Sequence, residues 1–223
     1  MRIETERLIL CDIDPERDFE GWAKTMGDER TVRFMGGRVL DRAQAWRNMA
    51  SLIGHWSIRG YGYFSVETKD TGEWAGRVGP FYPEGWPEPE IGWTISPDHW
   101  GKGYATEAGR AMIDYAFNTL GWSRVIHVIL QGNERSIAVA EKLGSTLLRT
   151  QQGLPGVTDD EILIYGQEAP KSLKVGEGPE LDAFPRIGIG ESGIVKSCMW
   201  HTHSPDLIAV MEFQQHHLVP VHV

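Results

Sequence analysis

A glycine-rich turn at residues 101–103 carries the clearest chemical signal in the sequence. The segment WGKG follows a strand-like stretch, EIGWTIS, and precedes a helical pattern that begins at Tyr104. The first turn of a helix leaves about four backbone N–H groups without acceptors and carries partial positive charge. Glycines let a ligand approach the backbone closely. The turn therefore predicts a site for a phosphate-like anion, with Lys102 as an available counter-charge.

The turn does not match the two common nucleotide-binding loops. It lacks the Gly-Lys-Ser/Thr ending of a Walker A loop and the GxGxxG spacing of a dinucleotide site, which argues against an NTPase and a nicotinamide enzyme. The sequence also has no serine nucleophile elbow and no His-Glu-x-x-His motif. Taken alone, the turn equally fits a helix start that binds no ligand.

The apolar spacing predicts one mixed sheet flanked by helices. The predicted element order is β-αα-βββ-α-β-α-ββ, which combines antiparallel hairpins with a βαβ crossover and assigns the chain to the α/β or α+β class. Asp14 and Pro15 mark the start of the first helix, and Gly60 marks the end of the second. The predicted strands are residues 7–13, 61–67, 74–81, 90–96, 124–130, 146–150 and 161–166, and the predicted helices are residues 14–26, 41–59, 104–120 and 133–143.

The composition narrows the class of protein and its partners. Apolar residues make up 41% and charged residues 24% of the 223 residues, which excludes wholesale disorder. No run approaches the ~18 apolar residues of a membrane span, the N-terminus lacks a signal-peptide core, and two cysteines are too few for a disulfide framework. We therefore expect a cytoplasmic protein with no membrane partner. The net charge of −9 argues against nucleic acid and suits an amine-bearing partner, although it also serves plain solubility.

Five ordered blocks of the sequence resemble one known family. The blocks are ETERLIL, GEWAGRVG, EIGWTIS, WGKGYATEAGRAMIDYAF and GNERSIAVAEKLG, and the resemblance covers about residues 3–166. They resemble the GCN5-related N-acetyltransferase (GNAT) superfamily and, within it, the ribosomal-protein-alanine acetyltransferase (RimJ/RimL-like) type. The resemblance implies a mixed, V-splayed sheet flanked by helices and an N-acetyltransferase that uses acetyl-CoA and no metal.

The resemblance also implies where acetyl-CoA binds. The pyrophosphate is expected on the glycine-rich turn, the pantetheine arm at the end of the preceding strand, and a further contact at an asparagine. One departure is Asp98, which stands where the family often has Gln or Arg. The implied cofactor-binding residues are Gly101, Lys102, Gly103, Tyr104 and Ala105 with Thr106 nearby, then Thr94, Ile95 and Ser96, and finally Asn133.

The tyrosine that serves many members of the family as the general acid is absent from the corresponding position of this chain. Many relatives have a tyrosine seven residues after the asparagine, as an acid for the leaving thiolate, but Ala140 stands there. The resemblance makes Ser136 the substitute. It would lie near a helix N-terminus, where N–H groups and the helix dipole stabilise a thiolate. Alternatively, Ser136 is an ordinary polar residue of the first turn and Asn133 is only an N-cap.

Glu90 is the predicted general base. Acetyl transfer needs a neutral amine, so a group must accept its proton. Glu90, Gly92 and Thr94 alternate onto one face of their strand, and the glycine leaves room for a substrate beside the carboxylate. The alternative is an exposed strand-end glutamate. In the preceding proline-rich loop, Glu84 and Glu88 could replace Glu90 or bind a cationic acceptor, and Trp86 is a predicted substrate wall.

The predicted function is therefore transfer of an acetyl group to a primary amine by direct attack. A protein N-terminal amine is the first acceptor, and a small-molecule amine such as a polyamine, amino acid or antibiotic is the alternative. A second alternative, from another class, is a non-catalytic acyl-CoA-binding module, because the tyrosine is absent and Asp98 is acidic.

The predicted catalytic domain is 1–166, and 167–223 is a C-terminal extension. The extension begins with a linker-like stretch rich in Gly, Pro and Glu and then carries short strand-like segments. We expect a poorly packed segment, with sheet-edge pairing or a homodimer contact as alternatives. Cys198, His201 and His203 have loosely metal-like spacing, but no second pair stands at a recognised interval, so no metal site is predicted.

Overall fold

The computed structural model describes residues 1–154 and 157–171. Within them the chain forms eight strands and five helices. In chain order these are β1 (Arg2–Glu4), β2 (Leu8–Cys11), α1 (Pro15–Met26), α2 (Glu29–Val32), α3 (Arg42–Arg59), β3 (Phe64–Thr68), β4 (Trp74–Phe81), β5 (Glu90–Ile95), α4 (Tyr104–Asn118), β6 (Arg124–Leu130), α5 (Glu134–Lys142), β7 (Thr146–Leu154) and β8 (Thr158–Glu168).

The strands form a single mixed sheet in the order β1-β2-β3-β4-β5-β6-β8-β7. Neighbours pair antiparallel except β5 and β6, which are parallel and joined through α4. This is the βαβ crossover predicted from the sequence. The expected α/β class, with a GNAT-like mixed sheet flanked by helices, is confirmed.

Local signals explain why the helices begin and end where they do. The Asp14 carboxylate accepts hydrogen bonds from the N–H groups of Glu16 and Arg17, and Pro15 occupies the first helical position. Asp41 and Gln44 form a reciprocal capping box at the start of α3. Helix α3 ends at Gly60 with φ of 75°, a conformation that glycine adopts without strain.

Some element bounds differ from the expectation. The short β1 and α2 were not predicted, because three or four residues are too few to show a hydrophobic period. The last two strands are longer than predicted, and β8 continues to Glu168 rather than ending at Gly166. The proposed domain boundary at residue 166 therefore falls inside β8. The Cys198, His201 and His203 motif and most of the extension lie outside the described residues.

The two faces of the sheet are covered by different helices. Helix α4 packs on one face against an apolar cluster that includes Leu8, Val78 and Ile91. Helices α1 to α3 cover the other face, where a second cluster includes Trp22 and Tyr63. Since side chains alternate along a strand, the even-numbered residues of β5 face α1 to α3 and the odd-numbered ones face α4.

Strands β5 and β6 diverge soon after they meet. Their register has one paired position, Glu90 opposite Ile126. Beyond it, the buried His127 ring bridges the gap, with Nδ1 2.6 Å from the Ile91 carbonyl and Nε2 2.9 Å from Ser145 Oγ. Burial lowers the pKa of His127 to about 4, so the ring is neutral at neutral pH. The splay predicted from the sequence is therefore held by a structural histidine.

In the part of the chain that the structure describes, no helix has the length and apolar character needed to cross a bilayer. Across residues 1–154 and 157–171, no three His, Cys, Asp or Glu side chains cluster as metal ligands would.

Candidate active site

The glycine-rich turn presents an open row of backbone donors. Gly101 and Gly103 have φ of 78° and 80°, in the left-handed region that favours glycine. Among the described residues, the N–H groups of residues 101–106 donate no backbone hydrogen bond, and the first to do so is that of Glu107, to the Gly103 carbonyl. These six neighbouring N–H groups fit an anionic group such as a pyrophosphate.

Arg7 holds the turn in place from the neighbouring strand connection. Its Nη1 donates to the Lys102 carbonyl at 2.8 Å, and its Nε donates to the Glu107 carboxylate at 2.7 Å. The guanidinium also lies over the Tyr104 ring. Because the Lys102 carbonyl is bound to Arg7, the amide groups of the turn are held in a fixed orientation before any ligand arrives.

The acidic residue that departs from the family pattern is paired. Asp98 accepts a hydrogen bond at 2.6 Å from Lys24 of α1, and this bond lowers the pKa of the carboxyl group. Its charge is therefore offset next to the turn. Lys102, the predicted counter-charge, has its Nζ 3.3 Å from His99 Nδ1.

The predicted pantetheine residues lie on the part of β5 that diverges from β6. Thr94 faces the α1–α3 side and its hydroxyl is 3.8 Å from Met35 Sδ. The Ile95 carbonyl accepts from Trp100 Nε1 at 2.8 Å, and the Ser96 N–H donates to Ala75 of β4. The backbone edge of this segment lies beyond the single position at which β5 pairs with β6.

Asn133 and Ser136 meet at the start of α5. The Asn133 side chain accepts from the Ser136 N–H at 3.3 Å, so it is an N-cap as well as a predicted ligand contact. The Ser136 hydroxyl oxygen accepts from Trp93 Nε1 at 3.3 Å. Since that oxygen is an acceptor in this bond, the bond does not use the hydroxyl proton.

Glu90 is buried and is bound to the protein through both carboxylate oxygens. Oε2 accepts from Trp86 Nε1 at 2.7 Å, and Oε1 accepts from the Val128 N–H at 3.0 Å. The side chain is not the exposed strand-end residue of the alternative reading, because only 5% of its surface is accessible. Burial raises the pKa of Glu90 to about 7, although both hydrogen bonds and the charge of Arg77 act to lower it.

The two loop residues predicted to contact the acceptor have different surroundings. Trp86 lies directly on Glu90 and packs edge-on against Phe81, 5.2 Å between ring centres. Glu88 is instead paired with Arg149 at 2.7 Å and Arg124 at 3.4 Å. Its carboxylate is therefore already neutralised by two arginines, which weakens the expectation that it binds a cationic acceptor.

Two further polar side chains lie near Glu90 that sequence reasoning missed. The Tyr63 side chain lies against Gly92. A side-chain carbon added to this glycine would lie 2.1 Å from the tyrosine hydroxyl. Arg77 lies in β4 opposite Thr94, on the same face. A charged residue in the middle of the apolar strand WAGRVGPF was the signal available for Arg77.

Comparison with known proteins identifies the family. A family model described as "Acetyltransferase (GNAT) domain" matches residues 7–146. This match covers the sheet from β2 to the start of β7 together with the glycine-rich turn. The fold and the family match thus define an acetyltransferase that uses acetyl-CoA and acts on an amine. The chain belongs to the GNAT family.

Individual relatives agree with this assignment. The chain is 30% identical over 149 residues to YoaA of Bacillus subtilis, an "uncharacterized N-acetyltransferase", covering 64% of this chain and 81% of the relative. It is 42% identical over 96 residues to YkkB of the same organism, covering 41% of this chain and 56% of YkkB. An acetyltransferase structure from Agrobacterium tumefaciens superposes with a TM-score of 0.65 at 30% identity, covering 76% of this chain and 95% of that one.

Proposed function

We propose that this enzyme transfers the acetyl group of acetyl-CoA to a primary amine by direct attack in a ternary complex, with Glu90 as the base. The observation that carries the proposal is a buried carboxylate whose pKa is about 7. A general base is most effective when its pKa lies near the working pH. Glu90 would take a proton from the bound ammonium group, directly or through one water molecule, before the amine attacks the thioester.

The glycine-rich turn supports the binding of the anionic end of acetyl-CoA. The co-substrate supplies the activated thioester, and the unpaired N–H groups of residues 101–106 would hold its pyrophosphate. A groove of about 520 Å³ opens beside Gly103 and Thr106. Its walls carry three basic side chains, Arg7, Arg110 and Lys142, and three acidic ones, Glu6, Glu107 and Asp114, so the support for the anion site is the row of N–H groups and not the charge of the groove.

The splay between β5 and β6 supports the placement of the pantetheine arm and the thioester. Thr94, Ile95 and Ser96 would line the arm, and Asn133 would contact it from the start of α5. We assign protonation of the leaving thiolate to Ser136 or to water. The support for Ser136 is its hydroxyl proton, which the contact with Trp93 leaves free, and its place in the first turn of a helix.

The acceptor is a primary amine, and we propose a protein N-terminal amine as the first class to test. The support is the resemblance of the motifs to ribosomal-protein-alanine acetyltransferases. A small-molecule amine is the second class. Both would reach Glu90 past Trp86, whose indole lies 2.7 Å from the carboxylate.

A panel of N-terminal peptides and small amines tests the proposal. We expect acetyl-CoA-dependent thiol release that is faster with at least one acceptor, and an acceptor whose mass increases by one acetyl group. Glu90→Gln should lower this rate by ~10²-fold or more, whereas Glu4→Gln, at an exposed position of the edge strand β1, should not. A protein that binds acetyl-CoA but releases no thiol with any acceptor would instead be the non-catalytic acyl-CoA-binding module.

A further inference from the structure

Arg77 is a buried cation that has no hydrogen-bond or ion-pair partner among the residues that the structure describes. Only 6% of its surface is accessible, and within residues 1–154 and 157–171 its guanidinium makes no hydrogen bond or ion pair. Its Nε is buried and unpaired. The guanidinium carbon lies 4.5 Å from the centre of the Tyr63 ring and 5.2 Å from that of Trp22, so aromatic rings contact it while its N–H groups stay unused.

Such an arrangement needs an explanation. Arginine is almost never fully buried unless it is paired, because removing the charge from water costs more than nearby apolar groups return. Cation–π contacts with Tyr63 and Trp22 offset part of this cost. They leave the N–H groups unsatisfied, however, and an unsatisfied buried donor carries its own penalty.

The carboxylates near Arg77 are committed to other groups. Glu90 is bound by Trp86 and the Val128 N–H. Asp18 accepts from Arg17 at 2.6 Å and from the Asp14 N–H at 2.8 Å, and the Ser65 hydroxyl also donates to it. The charge of Arg77 still acts on Glu90, whose pKa it lowers. Arg77 therefore lies close to the predicted base without being its ion-pair partner.

Two glycines and the Tyr63 side chain lie between these two groups. In the pairing of β4 with β5, Arg77 is opposite Thr94 and Gly79 is opposite Gly92. Along β5, Gly92 lies between Thr94 and Glu90. The two glycines contribute no side chains, and a side-chain carbon added to Gly92 would lie 2.1 Å from the Tyr63 hydroxyl and 3.5 Å from Glu90 Oε1. Charged guanidinium and carboxylate groups thus share one face of the sheet, on the side covered by α1 to α3.

We propose that Arg77 is a specificity-determining residue that binds a carboxylate on the amine acceptor, while the amine itself faces Glu90. The inference rests on the proposed function and names its acceptor class: a primary amine with a carboxylate close by. Guanidinium groups bind carboxylates through two parallel hydrogen bonds, which would satisfy the donors that the protein leaves unpaired. Both a free amino acid and a peptide whose first residue is acidic carry this chemistry.

Matched acceptors test the proposal. Phenylalanine and phenethylamine differ by the carboxylate of a free amino acid, and peptides beginning Asp-Ala and Asn-Ala differ by an acidic first side chain. We expect the wild-type enzyme to prefer the carboxylate-bearing member of at least one pair by about tenfold or more in kcat/KM. The pair that shows the preference identifies the source of the carboxylate. No preference in either pair overturns the proposal.

Substitution of Arg77 then separates recognition from packing. Arg77→Gln should reduce the preference within the pair at least about tenfold, Arg77→Lys should retain part of it, and the Kd for acetyl-CoA should not change. Arg59→Gln is the control, because the Arg59 guanidinium also lies over an aromatic ring, 5.3 Å from the centre of Tyr82. Arg59 is the last residue of α3. An equal fall in kcat/KM for both members of the pair would overturn the proposal.

Two measurements do not depend on turnover. If Arg77 serves to bind a ligand and not to stabilise the fold, Arg77→Met should be at least as stable as wild type, since an apolar side chain replaces an unpaired buried charge. The preferred carboxylate-bearing acceptor should raise the Tm of the wild-type protein but not of this variant. Destabilisation of Arg77→Met together with no ligand-induced shift in wild type would mean a purely structural role. Amine acetylation without carboxylate preference refutes this inference alone, whereas absence of acetylation refutes the proposed function.

Discussion

At the scale of single residues, burial determines what Glu90 can do. An exposed glutamate has a pKa of about 4.3 and is a weak base at neutral pH. In this fold the Trp86 indole and β6 enclose the carboxylate, and loss of water raises its pKa to about 7. The same enclosure that makes Glu90 a better base makes it costly to ionise.

That cost should appear in the free energy of unfolding. Because the folded-state pKa of Glu90 is about 7 and the unfolded value is about 4.3, the folded protein holds the proton more tightly between these values. The contribution is present at low pH and is lost as pH rises through 7. Relative to Glu90→Gln, wild-type stability should therefore fall by about 2–3 kcal/mol between about pH 5 and 8.

Chemical denaturation of both proteins across this pH range measures the effect. Using the difference between the two cancels the titration of the histidines, which are common to both. A difference in unfolding free energy that stays constant with pH would mean that the folded-state pKa of Glu90 is close to its ordinary value.

The residues of the site differ in how well the sequence predicts them. Glu90 and Trp86 are four residues apart, so a local pattern predicts that they lie together, and they form a hydrogen bond. Tyr63 and Arg77 come from other strands, and only the pairing of β3, β4 and β5 brings them to the same face. Their partners depend on this register, which no local motif encodes.

At the scale of elements, caps and apolar periods predicted most bounds. Strand β4 and strand β6 match the predicted ranges, and α3 ends at the predicted Gly60. The end of β7 was missed because the strand lies at the sheet edge and most of its side chains are exposed, so they need not be apolar. Sequence patterns report burial, and an exposed edge strand gives little of that signal.

In the glycine-rich turn, the effect of a substitution on ligand binding can be separated from its effect on stability. Gly103 and Gly72 both have positive φ, at 80° and 71°, so alanine at either position should cost roughly 1 kcal/mol of stability. Only Gly103→Ala should also weaken acetyl-CoA binding, by roughly tenfold, because its methyl group crowds the approach to the N–H groups. Calorimetry that shows wild-type affinity for Gly103→Ala would exclude the turn as the pyrophosphate site.

The splay between β5 and β6 depends on His127. Substitution by Phe would leave the buried Ile91 carbonyl without a donor and remove one of the two contacts of Ser145, which also accepts from Gln167. We expect a loss of about 2 kcal/mol or more in unfolding free energy. The loss should not depend on pH above about 7.5, because there His127 is neutral in the folded protein and, with an ordinary pKa of about 6.5, in the unfolded chain as well. Denaturation curves that match wild type would mean that the bridge contributes nothing.

At the scale of the whole molecule, the sequence predicted the fold class and family but not the acceptor. Residues 168–223 carry four basic and seven acidic side chains, so the net charge of residues 1–167 is −6 out of −9. This acidic excess favours the approach of amines over long distances. The buried cation Arg77 acts only at contact range, which is why overall charge gave no indication of a carboxylate on the acceptor.

The division of the chain at about residue 166 stays a prediction with a direct test. The apolar clusters found in the structure are formed by residues up to Ala169. A chain that ends after Lys171, past the end of β8, should therefore keep the Tm and the acetyl-CoA affinity of the full-length protein. A fall in either quantity would show that residues after 171 contribute to folding or binding.

The pH dependence of kcat/KM for wild type and Glu90→Gln, measured with one amine acceptor, tests the catalytic role of Glu90 most directly. If Glu90 removes the proton from a bound ammonium group, wild-type kcat/KM should rise with unit slope up to about pH 7 and then level off. Without the base, the variant must wait for free amine, so its kcat/KM should be lower and keep rising towards the amine pKa of ~10. Profiles of the same shape and height for the two enzymes would contradict the assignment of Glu90 as the base.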